Sequence, residues 1–116
     1  MSIFSYDDQY RAQIAKMDDI VLCCQEVRDG YERKARMYAD AYKNRLSALA
    51  EFILKELPPI YGNMGLNELI DALGTPTIDL DRSLVSYFEA TLDGDHMIEV
   101  EFGGLFERFY RVSMDG

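Results

Sequence analysis

Residues 7–57 read DDQYRAQIAKMDDIVLCCQEVRDGYERKARMYADAYKNRLSALAEFILKEL, and the fold turns on how this stretch is divided. Apolar or semi-apolar residues fall at Tyr10, Ile14, Met17, Val21, Cys24, Tyr31, Ala35, Tyr38, Tyr42, Leu46, Leu49 and Ile53. Their gaps are threes, fours and one seven, which is the helical period. Ser5, followed by Asp7 and Asp8, suits an N-cap region with acids near the positive end of a helix. Pro58-Pro59 ends the pattern. A single straight helix from Asp7 to Leu57 would reach roughly 75 Å at 1.5 Å per residue, far longer than a domain of this size is wide. Two solutions stand. A break at Asp29-Gly30 gives an antiparallel helical hairpin with arms of about 23 and 26 residues. Alternatively, the helix runs through Gly30 at a cost of about 1 kcal/mol and pairs with a second chain. The stripe keeps its phase across Gly30, because Tyr10, Met17, Cys24, Tyr31 and Tyr38 are spaced by seven, although Arg28 and Arg45 interrupt the seam.

The stretch that follows, from Pro58 to Gly65, is rich in turn residues. Leu66, Leu69, Ile70 and Leu73 then mark a short helix, closed by Gly74 with Pro76 beyond it. The last third predicts an antiparallel sheet of three strands. Leu84, Ser86, Phe88 and Ala90 alternate with Val85, Tyr87, Glu89 and Thr91; His96, Ile98, Val100 and Phe102 alternate with Met97, Glu99 and Glu101. Leu92-Asp93-Gly94 is the turn between them. A two-residue loop would set Glu89 opposite Ile98, a carboxylate on the greasy face. A three-residue loop with Gly94 left-handed pairs Phe88 with Ile98 and Leu84 with Phe102, and the hydrophobic pattern favours it. Gly103-Gly104 turns the chain into a third strand carrying Phe106, Tyr110, Val112 and Met114. The expected fold is therefore α+β and one domain over 1–116. Its parts are a helical half over 1–57 (long helix or hairpin), a connector with a short helix over 58–82, and a three-stranded antiparallel sheet over 83–116.

The chain has 116 residues and a formal net charge of −9, a size that suits one domain. No run of 18 apolar residues is present, which predicts no membrane span, and the N-terminal residues lack the basic-then-apolar order of a secretory signal. The acid excess argues against direct binding to nucleic acid, whose phosphates repel carboxylates. Cys23 and Cys24 are the only cysteines, too few for a zinc site; they read as reduced thiols of a cytoplasmic protein.

Charge is unevenly spread. Residues 1–56 hold 10 acids and 9 bases; residues 57–116 hold 11 acids and 3 bases. In the favoured register Glu89, Glu99 and Glu101 share an outward sheet face with Tyr87 and Met97, and Asp93 and Asp95 cap it at the hairpin tip. Neighbouring carboxylates on a sheet repel, so a cluster of them reads either as a solubilising face or as a surface for a basic partner. The signatures of catalysis are missing: one histidine, His96; no Gly-x-Ser-x-Gly; no phosphate-cradling loop. Asp79, Asp81, Asp93 and Asp95 lack the spacing and terminal Glu of a calcium loop. No cofactor or metal is predicted.

These readings predict a non-catalytic inhibitor of the immunity, anti-restriction or anti-CRISPR type. Its acidic face, through Tyr87, Glu89, Asp93, Asp95, Met97, Glu99 and Glu101, would occlude a basic surface on a nuclease or other nucleic-acid-binding effector. The alternative is an oligomeric scaffold or adaptor acting through the N-terminal helices, the acids serving solubility alone. In either case a long apolar stripe through Tyr10, Met17, Cys24, Tyr31 and Tyr38 exceeds what three strands cover, and this predicts a homodimer through that stripe.

Overall fold

The computed structural model describes residues 3–56, 64–88 and 97–115. The stretch ahead of Gly30 is not helical. It forms three strands, β1 (Ser5–Asp7), β2 (Ala12–Met17) and β3 (Ile20–Cys24), joined as two successive antiparallel hairpins. Met17 pairs with Ile20, so Asp18-Asp19 is a two-residue loop; Asp18 takes φ 53°, a conformation that Asp tolerates because its short side chain bonds locally. The helix α1 begins only at Tyr31 and runs to Glu56, 26 residues. Asp29-Gly30 is thus its start and not a break within it: Gly30 adopts φ 84°, and its carbonyl accepts the N–H of Lys34. After the short helix α2 (Leu66–Leu73), closed by Gly74 at φ 74°, come β4 (Thr77–Asp79), β5 (Leu84–Tyr87), β6 (Met97–Gly103) and β7 (Arg108–Asp115).

All seven strands form one sheet in chain order. Every neighbouring pair is antiparallel except β3 and β4, which are parallel; the two helices lie in the connection between them, as a parallel pairing requires. The protein is α+β, with a seven-stranded mixed sheet in place of the expected C-terminal three-stranded one. The long helix or helical hairpin over 1–57 is corrected to three strands and one helix. The short helix α2 stands where its apolar spacing placed it.

Register sorts the side chains. One cross-strand row runs Ala15, Leu22, Ile78, Val85, Val100, Val112 over six strands, all apolar, on the face that the helices cover. Against it α1 packs Ala35, Ala39, Tyr42, Leu49, Ala50 and Ile53, and α2 packs Leu69 and Leu73. Phe102 and Phe106 stack at 3.9 Å between centroids, and Tyr38 and Tyr42 meet Phe106 edge-on. Tyr87 pairs with Ile98 and Leu84 with Glu101, one residue away from the expected pairing. Because successive strand residues face opposite ways, that single step turns Tyr87 into the core and Phe88 outward. Tyr87 is fully buried, its hydroxyl 2.8 Å from that of Tyr42, and Phe88 is 54% exposed.

The five residues of the proposed dimer stripe do not share a helix. Tyr10 lies in the turn before β2, Met17 ends β2, Cys24 ends β3, and only Tyr31 and Tyr38 are on α1. The sheet covers the apolar side of α1, so the argument that a second subunit must do so falls away.

Candidate functional site

The sheet face opposite the helices carries its own rows. One runs Lys16, Val21, Thr77, Ser86, Glu99, Ser113; the next runs Ser5, Ile14, Cys23, Asp79, Leu84, Glu101, Arg111. No helix covers this face among the described residues, yet Ala12, Ile14, Val21, Thr77 and Ser86 on it are all buried. Two adjoining hollows of about 690 and 380 Å3 open on this face, and Tyr10, Thr77 and Phe88 line both, forming the waist of one groove. Asp7 Oδ1 accepts the N–H groups of Gln9 (2.8 Å) and Tyr10 (3.3 Å), which fixes the turn that carries Tyr10. Phe88 stands at the end of β5, on the far side of β3 and β4 from Tyr10.

Five carboxylates and two cations line the groove. Asp18 is ion-paired with Lys43 of α1. Asp81 accepts the Tyr31 hydroxyl on one oxygen (2.6 Å) and the Gln25 N–H on the other (3.0 Å). Burial works to raise its pKa, but those hydrogen bonds, with Arg28 and Lys34 nearby, outweigh burial and hold it below the ordinary carboxylate value. Its task is to tie the start of α1 to the β4–β5 turn. The other three acids have fewer partners among the described residues. Asp79 accepts the N–H groups of Asp81 (2.9 Å) and Arg82 (3.1 Å) on Oδ1. Glu99 accepts the Ser86 hydroxyl on Oε2 (3.2 Å). Asp19 has no hydrogen bond or ion pair among the described residues. Thr77, only 6% exposed, lies at the waist of the groove.

Neither cysteine is primed for chemistry. Adjacent in β3, they face opposite sides of the sheet, Cys24 toward the core and Cys23 toward the groove. Burial, then Asp79, pushes the Cys23 thiol up to about 12; burial, then Asp81, pushes Cys24 up to about 11. Both stay protonated near neutral pH, and the thiolate is the reactive form. Among the described residues no three His, Cys, Asp or Glu side chains stand together as a metal site, and no helix is long and apolar enough to cross a membrane.

Of the residues singled out from sequence, Glu99 belongs to the groove. Glu101 lies beside it on the same face, 3.6 Å from Arg111. Met97 is half-buried at the start of β6. Tyr87 lies on the opposite face, inside the core. Glu89, Asp93 and Asp95 fall outside the described residues, as does His96. Sequence reasoning missed Tyr10, Asp19, Thr77 and Phe88 as groove residues and considered Asp79 only for calcium. Compared with protein-family models, curated proteins and solved structures, the chain matches none.

Proposed function

We propose that this protein is a non-catalytic binding protein, of inhibitor type, whose helix-free sheet face holds a basic surface of a partner protein. The observation that carries the reading is the division of labour among the groove acids. Asp18 and Asp81 are occupied by internal partners, whereas among the described residues Asp19 has no hydrogen bond or ion pair, and Asp79 and Glu99 are bonded through one oxygen each, near exposed aromatic Phe88. Carboxylates gathered on one face cost stability through mutual repulsion and are compensated when a cationic surface docks. The net charge of −9 steers a basic partner toward the molecule, and occupation of that partner's nucleic-acid groove would inhibit it sterically. The scaffold reading loses its support with the helical stripe on which it was built.

The test is affinity capture from the native host, or from its prey or competitor, with the wild type and with Asp19→Lys/Glu99→Lys side by side. The expected result is a basic nucleic-acid-binding protein that the wild type recovers, that salt elutes, and that the variant does not hold. The purified partner should then lose its nucleic-acid binding when the wild type is added. Recovery of the same proteins by both baits, unaffected by salt, overturns the proposal.

A further inference from the structure

We propose that the outer edge of β7 is a strand-addition site, which takes an extended segment of another protein in antiparallel pairing. The inference is independent of the groove. Among the described residues β1 and β7 are the two edges of the sheet, three and eight residues long. An edge strand presents a row of backbone N–H and C=O groups to any chain that can pair with it. β1 is too short to hold one firmly. β7 is long enough, and its bulge lies near its start: Tyr110 is the extra residue between the pairs Phe102–Phe109 and Glu101–Arg111, and from Arg111 to Asp115 the register is regular.

The core is unfinished along this edge. In β6 the helix-facing Ile98, Val100 and Phe102 are fully buried. Their cross-strand neighbours Met114, Val112 and Phe109 pack against the same core but are only half-buried. Phe52 of α1 reaches Phe109, with 5.6 Å between ring centroids, so the helix layer extends to this strand. An eighth strand would lay alternate side chains beside Phe109, Val112 and Met114 and remove that apolar surface from water.

The chemistry of the incoming strand can be read from β6, which already pairs with β7 from the other side. β6 sets Ile98 opposite Met114 and Val100 opposite Val112 on the helix face, and Glu101 opposite Arg111 on the open face. A strand's side chains keep their face whichever neighbour they meet, so the outer edge makes the same demands: apolar residues opposite Val112 and Met114, a carboxylate opposite Arg111. Arg111 can serve both neighbours. It stands 3.6 Å from Glu101, its side chain is 71% exposed, and a guanidinium carries five N–H donors. Arg108, which pairs with Gly103, adds a second exposed cation at the start of the strand. The occupant is therefore a segment that alternates apolar residues with carboxylates. A second copy of this chain suits the edge less well. Two β7 strands paired about Arg111 would set arginine against arginine, and each chain carries a net charge of −9.

The experiment titrates the whole 15N-labelled chain with a capped peptide of the β6 sequence, MIEVEFG, and separately with the same peptide carrying lysine in place of both glutamates. The first peptide should give saturable amide shifts centred on β7, with slowed amide exchange there. The lysine form should bind about fivefold more weakly, because it turns an attractive cross-strand pair into a repulsive one. Arg111→Glu should reverse the order of the two peptides. The amide spectrum shows whether that variant folds, and the comparison of the two peptides on the wild type stands without it. Absence of saturable shifts, equal affinity for both peptides, or shifts centred on β1 or the groove would overturn the proposal. So would shifts spreading to β5, which would mean exchange for the native β6. Shifts of β7 that follow protein concentration without peptide would also overturn it and assign the edge to a second copy.

Discussion

Removing the hydroxyls of Tyr42 and Tyr87, singly and together, tests the register on which the groove depends. The two hydroxyls are 2.8 Å apart in the core; Tyr42 is 6% exposed and Tyr87 not at all. Tyr42→Phe strands the Tyr87 hydroxyl where water does not reach, and a buried group left without a partner costs about 1–3 kcal/mol. Full burial of Tyr87 places this variant well above the lower end of that range, at about 2 kcal/mol. Tyr87→Phe strands the Tyr42 hydroxyl, which lies nearer the surface, and should cost about 1 kcal/mol. The double variant strands nothing and loses one neutral hydrogen bond, about 1 kcal/mol. The cycle therefore closes with a coupling of about 2 kcal/mol instead of additivity. For a chain of this length the unfolding entropy is roughly 0.24 kcal/mol per degree, so Tyr42→Phe should lower Tm by roughly 8 °C and the double variant by about half that. Urea and thermal denaturation followed by circular dichroism supply all four corners. Single variants within about 0.3 kcal/mol of wild type, with additive effects, would refute the arrangement. They would place Tyr87 on the open face, as the one-residue alternative pairing of β5 and β6 would do.

Alkali should unfold the protein ahead of its neighbours in composition. Burial raises the thiols of Cys23 and Cys24 to about 12 and 11 and the phenol of Tyr42 to about 12, and it pushes the phenol of Tyr87 well above its ordinary value. Each folded pKa lies above its unfolded counterpart, so this stabilisation is complete below about pH 9 and is lost as pH rises through the folded values. Urea midpoints between pH 7 and 11 should fall steadily above pH 9, and a flat profile would contradict the burial. Asp81 behaves in the opposite sense: its folded pKa is lowered, so its contribution is present above the unfolded value of 3.8 and disappears as pH falls through the folded one. Asp81→Asn should lower stability at pH 7 by about 1 kcal/mol, an exposed pair of hydrogen bonds being worth less than buried ones. The deficit should shrink below about pH 4, and a pH-independent deficit would assign the effect to packing.

The legible part of the fold is the part with one wet face. In α1 the residues Ala35, Tyr42, Leu49 and Ile53 recur at helical spacing above a polar side, and the sequence places them on one stripe that the structure buries. In β6 the alternation of Ile98, Val100 and Phe102 with Glu99 and Glu101 identifies both faces correctly. Residues 5–24 failed because alternation is lost there. Ala12, Ile14 and Ala15 in β2, and Ile20, Val21, Leu22 and Cys24 in β3, are buried whichever way they point. A strand apolar on both faces reads as an unbroken hydrophobic run, and an unbroken run satisfies a helical template as readily as a strand. The seven-residue spacing of Tyr10, Met17 and Cys24 is a coincidence of two hairpins. The loop Asp18-Asp19, a plausible turn in itself, was absorbed into the polar side of an imagined helix.

The two misreadings share a cause, and the cause is the groove. Ala12 and Val21 hide the alternation of β2 and β3 because they line it, on the face that no helix covers among the described residues. Phe88 drew the favoured register one residue out of place because an exposed aromatic at the end of a strand is poor economy for a folded core, so the pattern sent it inward. A sequence shaped by folding alone would carry polar residues at these positions and would read cleanly. Local rules are broken in natural proteins chiefly where a surface is kept for something other than its own interior. The acids follow the same logic at finer grain. Counted along the chain they form one indistinct excess, but in the fold Asp18 and Asp81 hold elements together, while among the described residues Asp19 has no partner and Asp79 and Glu99 are bonded through one oxygen each. Linear charge therefore counts the carboxylates, but only the register tells which of them share a face and which are tied to the rest of the fold.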